Sequence, residues 1–153
     1  MPPAIREGLI IIVPLIITWI ILLALQNTIA LSLSILVFFA ILFSIYFFRD
    51  PARSVPPDPQ IIVAAADGRV VEIDEVEDTP FGLGPRKRVC IFLSVFDVHV
   101  NRSPVSGIVA DTFYQGGKFL DVRHPDASSQ NESLSWLIES SEGQPIVVRQ
   151  IAG

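Results

Sequence analysis

Residues 8–48 contain no Asp, Glu, Lys, Arg or His, a run of apolar sequence with no counterpart in the rest of the chain. As a single helix those 41 residues would extend roughly 62 Å at ~1.5 Å per residue, about twice the ~30 Å hydrocarbon core of a bilayer. The run is therefore read as two legs, 9–25 and 29–48, reversing at its most polar point, Gln26-Asn27-Thr28. The pattern predicts a helical hairpin. The first leg has only 17 residues and carries Pro14, so entry into a bilayer without full crossing and a complete crossing are both open. A second apolar run directly behind the first argues against a cleaved signal peptide. Arg6 lies before the hairpin, and Arg49 and Arg53 follow it, which puts both flanks on the cytoplasmic side of a cell (inner) membrane.

Beyond the hairpin the pattern changes. Pro51, Pro56, Pro57 and Pro59 punctuate residues 49–60 and predict a short, stiff linker. In "IIVAAADGRVVEIDEV" an apolar run meets Asp67-Gly68 and then alternates, which reads as a hairpin with a tight turn. "RVCIFLSVFDVHVN" and "SGIVADTFYQ" are rich in β-branched and aromatic residues and predict strands. "SLSWLIESSEGQPIVVRQIAG" alternates at Leu134, Trp136 and Ile138, turns at Glu142-Gly143 and continues as a strand. Between them "GGKFLDVRHPDASSQNE" is polar and glycine-bearing, as a long surface loop is. The fold class expected is an N-terminal membrane α-helical hairpin followed by a mainly β (β-rich α+β) soluble domain. In chain order this gives an anchor at 1–48, a linker at 49–60 and a β-rich domain at 61–153.

Charge sharpens this picture. Of 11 basic and 16 acidic residues, all but Arg6 and Glu7 lie after the hairpin, so the net charge of −5 belongs to the β-rich part. Nucleic acid does not fit such a surface. The single cysteine, Cys90, has apolar neighbours and is expected to be a buried thiol in a reducing compartment. Zinc spacings, a phosphate-cradling glycine loop and a Gly-x-Ser-x-Gly elbow are all missing, and no metal site is expected. Of the two histidines, His124 lies in the polar loop and reads as solvated. His99, in "FLSVFDVHVNRSPVSG", has two readings on its residues alone: a half-buried strand residue satisfied by backbone, or a placed proton carrier.

Four stretches, in order and spacing, resemble the short, membrane-attached form of phosphatidylserine decarboxylase: "YFFRDPARSVP", "AADGRVVEI", "FLSVFDVHVNRSPVSGIV", and "GGKFLDV" with "NE" and "VVRQIAG". The resemblance runs from the hairpin to the last residue, and "FDVHVNRSPVSG" is its specific part. It implies a proenzyme that cuts itself at a Gly-Ser bond and converts the serine into a pyruvoyl group, the covalent cofactor. The pyruvoyl carbonyl takes up the substrate amine and accepts electrons while carbon dioxide leaves, giving phosphatidylethanolamine. The membrane is where that phospholipid substrate resides. By the same resemblance His99 handles the proton in decarboxylation, a task that suits imidazole with its free pKa near ~6.5. Asp67 matches the family's self-cleavage aspartate, although an aspartate before glycine is also an ordinary turn former.

Two departures matter. Each internal glycine here is followed by a residue other than serine, so the pyruvoyl-bearing small chain is expected from polypeptide beyond this sequence, and the 153-residue chain alone is expected to be inactive. The long form of the family has a second histidine where this chain has Arg102, and arginine stays protonated near neutrality. Arg102 is read either as an ion-pair partner of Asp97 or Asp111, or as a fork for the lipid phosphate. Other readings of the whole are a non-catalytic membrane-tethered β-module derived from the enzyme, and a decarboxylase of an ether-linked serine lipid. A homo-oligomer is compatible with all of them.

Overall fold

The computed structural model describes residues 3–77 and 80–153. Two apolar helices come first, α1 at Pro3–Ala24 and α2 at Thr28–Phe47, in agreement with the hairpin read from the pattern. The reversal falls at Gln26 to Thr28. Gln26 takes a left-handed conformation (φ 49°), and the Asn27 side chain accepts the Ala30 backbone N–H at 2.9 Å, capping α2. Within the apolar run, Asn27 is therefore the residue that starts the second helix. Ala30, Ser34, Ile41 and Ser44 form the buried stripe of α2. The small side chains of Ala30, Ser34 and Ser44 let the helices approach closely, as small residues do between helices in lipid. The hydroxyls of Ser34 and Ser44 donate to the carbonyls of Leu31 and Ala40, so no polar group is stranded. The large side chains point outward: Ile10, Ile29 and Leu36 are 69%, 75% and 67% exposed. Helices apolar around their whole circumference suit an apolar solvent. Both are long and apolar enough to cross a membrane, over 6–24 and 28–47.

The β-rich remainder forms two sheets. Strands β1 (Arg69–Val76) and β2 (Arg86–Phe92) make a two-stranded sheet, and β3 (Gly107–Gln115), β4 (Ser133–Ser140) and β5 (Pro145–Ile151) make a three-stranded one in the order β3-β4-β5. Both pairings of the larger sheet are antiparallel, with Trp136 opposite Thr112 on one side and Val148 on the other. The expected turn at Glu142-Gly143 joins β4 to β5, with Gly143 at φ 77°. A short helix α3 (Ala127–Gln130) interrupts the segment read as a loop. Next to it Asn131 is fully buried: its amide accepts from Leu120 N–H and donates to the carbonyls of Leu120 and Ala152, all within 2.7–2.8 Å. One side chain thus ties the 117–121 segment to the end of β5.

Three expectations need correction. Residues 61–66 are not a strand; Val63 N–H donates to Pro104 O and Ala65 O accepts from Arg102 N–H, so this stretch runs extended beside 102–104 without joining a sheet. The run 88–101 is a strand only to Phe92, because a tight turn follows at 94–97. Cys90 is half-buried rather than buried, with its sulfur 3.7 Å from Glu72, and its thiol pKa is raised chiefly by burial.

The chain divides into two compact units: Met1–Ser54 with Ala66–Arg69 and Ile91–Asn101, and Val55–Ala65 with Val70–Cys90 and Arg102–Gly153.

Candidate active site

Asp67 and His99 both belong to the unit that contains the hairpin. Asp67 precedes Gly68, which takes φ 143°, and a Cβ there would lie 2.3 Å from the Phe92 carbonyl oxygen. Only glycine fits against that backbone, so the Asp-Gly pair fixes where the carboxylate begins. The carboxylate is gripped by Arg53, whose Nε donates to Oδ1 at 3.3 Å while a second guanidinium nitrogen donates to Oδ2. The fork matches a planar cation to a planar anion, and it raises the Arg53 pKa. Arg53, which flanks the hairpin as a positive charge, is also the partner of a candidate catalytic acid.

The loop carrying His99 is built by a turn. Asp97 N–H donates to Ser94 O at 2.9 Å, and Ser94 N–H donates back to the Asp97 carboxylate at 2.8 Å. That backbone hydrogen bond, first among the causes, holds the Asp97 carboxyl below its usual range. A protonated His99 would stabilise the Asp97 carboxylate and the charge of Asp67 opposes it, so the three groups share one electrostatic neighbourhood. Val98 is 3% exposed and pins the loop behind the histidine.

His99 itself is exposed and lies outside any strand. Its Nδ1 is 3.0 Å from the Asp97 carbonyl oxygen. A carbonyl can only accept, so the proton is assigned to Nδ1, and Nε2 is left to take up or give a proton. The ring stacks on Phe47, with centroids 4.1 Å apart and planes at 28°. Half of the bland reading therefore survives, since one ring nitrogen is satisfied by backbone, but the burial and the strand do not.

The last turn of α2 holds this loop from below. Tyr46 hydroxyl and an Arg49 guanidinium nitrogen both donate to the Phe96 carbonyl, at 2.9 and 2.8 Å. Arg49 also donates to Tyr46 O at 2.7 Å and lies 3.7 Å from the centre of the Tyr46 ring. Next to them a small apolar groove of about 210 Å³ is lined by Ile11, Phe43, Ser44, Phe47 and Phe48. Phe47 is thus shared between the groove and the histidine. Arg102 lies in the other unit, where its backbone N–H donates to Ala65 O. His124 is exposed and accepts the Asp126 N–H, a local loop contact. Among the described residues, no cluster of three or more His, Cys, Asp or Glu could hold a metal ion.

Sequence reasoning missed Arg53, Asp97, Tyr46, Phe47 and Arg49 as parts of this constellation. Asp97 had a weak signal, two residues before the histidine. The others contact it across intervals of up to 52 residues, from Phe47 to His99, which no local pattern encodes.

Comparison with known proteins bears on what this constellation is for. The family model described as phosphatidylserine decarboxylase matches residues 40–153, about three quarters of the chain and all of the loop just described. The chain belongs to the phosphatidylserine decarboxylase family. Among relatives named phosphatidylserine decarboxylase proenzyme, that of Trichlorobacter lovleyi is 48% identical over 113 residues, covering 74% of this chain and 51% of the relative. That of Citrifermentans bemidjiense is 45% identical over 118 residues, covering 77% and 53%. That of Cytophaga hutchinsonii is 42% identical over 129 residues, covering 84% and 57%. The chain spans about half the length of the curated relatives it matches. Membership in the decarboxylase family agrees with the resemblance carried by "FDVHVNRSPVSG".

Proposed function

We propose that the complete protein decarboxylates phosphatidylserine to phosphatidylethanolamine with a pyruvoyl group formed by self-cleavage, and that His99 carries the proton. The observation that supports this most is the state of His99: one ring nitrogen held by the Asp97 carbonyl, the ring stacked on Phe47, and the residue exposed. An imidazole fixed in one tautomer presents Nε2 in a constant direction, which is what proton return to carbon needs.

The residues present suit such a cofactor. A ketone-capped chain end needs an accessible proton donor, and His99 supplies one beside an apolar wall. The pyruvoyl group, when present, supplies the electron sink that lets carbon dioxide leave. The chain's own residues do the rest. Asp97 orients His99 through its main-chain carbonyl, while its carboxylate locks the turn. Asp67, gripped by Arg53, is the group proposed to assist self-cleavage, acting as an oriented carboxylate. Arg102 is proposed as a fork for the lipid phosphodiester.

In chain order the protein is read as an anchor at 1–48, a linker at 49–60 and a catalytic region at 61–153. The hairpin is proposed to hold it in the cell (inner) membrane with the catalytic region facing the cytoplasm. Tethering keeps the site at high effective concentration against a substrate confined to the bilayer. The pyruvoyl-bearing small chain is the proposed partner. Val70, Ile73, Ile108 and Tyr114, all more than half exposed, give β1 and β3 apolar surface that a further segment can cover.

Expression of the complete reading frame followed by mass spectrometry of the lipids tests this reading. Loss of phosphatidylserine matched by gain of phosphatidylethanolamine is the expected result. Turnover confined to ether-linked serine lipids would redirect the substrate assignment, and no turnover in a fully processed protein would refute the enzyme.

A further inference from the structure

The turn at 94–97 has ends that suit a turn and a centre that does not. Ser94 and Asp97 are turn formers, bonded to each other in both directions. Between them stand Val95 and Phe96, 55% and 64% exposed, where turns favour Pro, Gly, Asn, Asp or Ser. Turn chemistry does not account for this apolar pair, and water disfavours it. The backbone at the tip is fixed from the membrane side, because the Phe96 carbonyl accepts from both Tyr46 and Arg49. Tyr46 lies in the last turn of α2 and Arg49 just past its cap. Tyrosine and arginine at the end of a 20-residue apolar helix mark the headgroup layer of a bilayer.

We propose that the Val95–Phe96 tip dips into the lipid surface around the end of α2, at the boundary between headgroups and acyl chains, and so sets the depth of His99, three residues further on. The partner is the lipid surface itself, recognised by apolar side chains and independent of headgroup charge. This rests on the reading that α1 and α2 lie in a bilayer. Carried on a backbone that is bonded to the helix end, the tip moves with the anchor. The imidazole is then held at the level where a phospholipid headgroup presents its serine.

The test uses the 153-residue chain in phosphatidylcholine nanodiscs, with Cys90→Ser removing its one thiol. A nitroxide is placed in turn at Val95→Cys, Phe96→Cys and the exposed Asn101→Cys. Collisions with oxygen, which concentrates in lipid, should exceed those with a water-soluble nickel chelate at 95 and 96, with the order reversed at 101. Nickel dominating at 96 as it does at 101 would overturn the proposal. In the complete protein, Val95→Ser with Phe96→Ser should raise KM for bilayer phosphatidylserine about tenfold, the loss of roughly one buried apolar side chain. A dispersed short-chain substrate should be handled as before. An unchanged KM on bilayers would also overturn it. The nitroxide measurement needs no turnover, so a protein that dips its tip but never decarboxylates fails only the functional reading.

Discussion

The two units of the molecule solve the problem of polar groups inside an apolar interior in opposite ways. In the hairpin unit, Ser34 and Ser44 are buried and return their hydroxyls to carbonyls three and four residues back, within the same helix. In the β unit, Asn131 and Ser133 are buried and satisfied by partners 11 to 21 residues away, Leu120, Arg149 and Ala152. A helix can be self-sufficient and still turn large apolar side chains outward, which is what lipid permits and water penalises. A sheet depends on distant chain. The candidates Asp67 and His99, and Asp97 that positions the histidine, all sit in the first unit. Arg102, the proposed phosphate fork, sits in the β unit.

Damage to the two units should therefore differ in kind. Asp67→Ala in the complete precursor is expected to abolish self-cleavage, leaving one uncut band on a denaturing gel while the fold persists; a normal pair of bands would remove Asp67 from the site. Asn131→Ala strikes the β unit. It strands buried backbone groups at Leu120 and Ala152, and about 3 kcal/mol of stability should go with them, read as a lower urea midpoint at an unchanged slope. A loss below about a third of that would show that the clamp is dispensable. Phe47→Ala leaves the imidazole bonded but unstacked, and a pair of rings of this kind contributes about 1 kcal/mol. Turnover should fall about fivefold with normal processing; an unaltered rate would place the stacking outside the mechanism.

The smallest effect concerns pH. The Asp97 carboxyl is held below its usual range by the Ser94 N–H, so it is charged in the fold at pH values where an unfolded aspartate already binds a proton. Its contribution is complete above the ordinary carboxylate pKa of about 3.9 and is lost as pH falls through the lower folded value. Amide exchange at Ser94 should stay slow on acidification through the ordinary carboxylate range and quicken only below it. Quickening already near pH 5 would mean that the carboxylate is not what closes the turn.

How much was legible follows from the same contrast. The hairpin was plain because 8–48 lacks charge, and the polar break at Gln26 to Thr28 coincides with the reversal because Asn27 caps the second helix. Strands β3, β4 and β5 were plain because alternation and the Glu142-Gly143 turn are local signals. Residues 94–101 were misread as strand because Val95 and Phe96 carry strong β preference while sitting in a turn, a conflict that their proposed lipid contact explains. Residues 61–66 were misread because an apolar run with no ladder partner looks like one that has one. His99 and Asp67 became candidates through resemblance, since one histidine and one Asp-Gly pair are weak on their own. The partners that fix them, Arg53 and the end of α2, lie 14 and about 50 residues away in sequence.

The central claim is that an imidazole fixed on a loop tied to the membrane helix returns the proton in decarboxylation. Release of labelled carbon dioxide from carboxyl-labelled phosphatidylserine, compared between the complete protein and its His99→Ala variant after both are shown to be processed, tests it most directly. The account predicts a processed variant that releases no carbon dioxide above background. Release at the parent rate would contradict it.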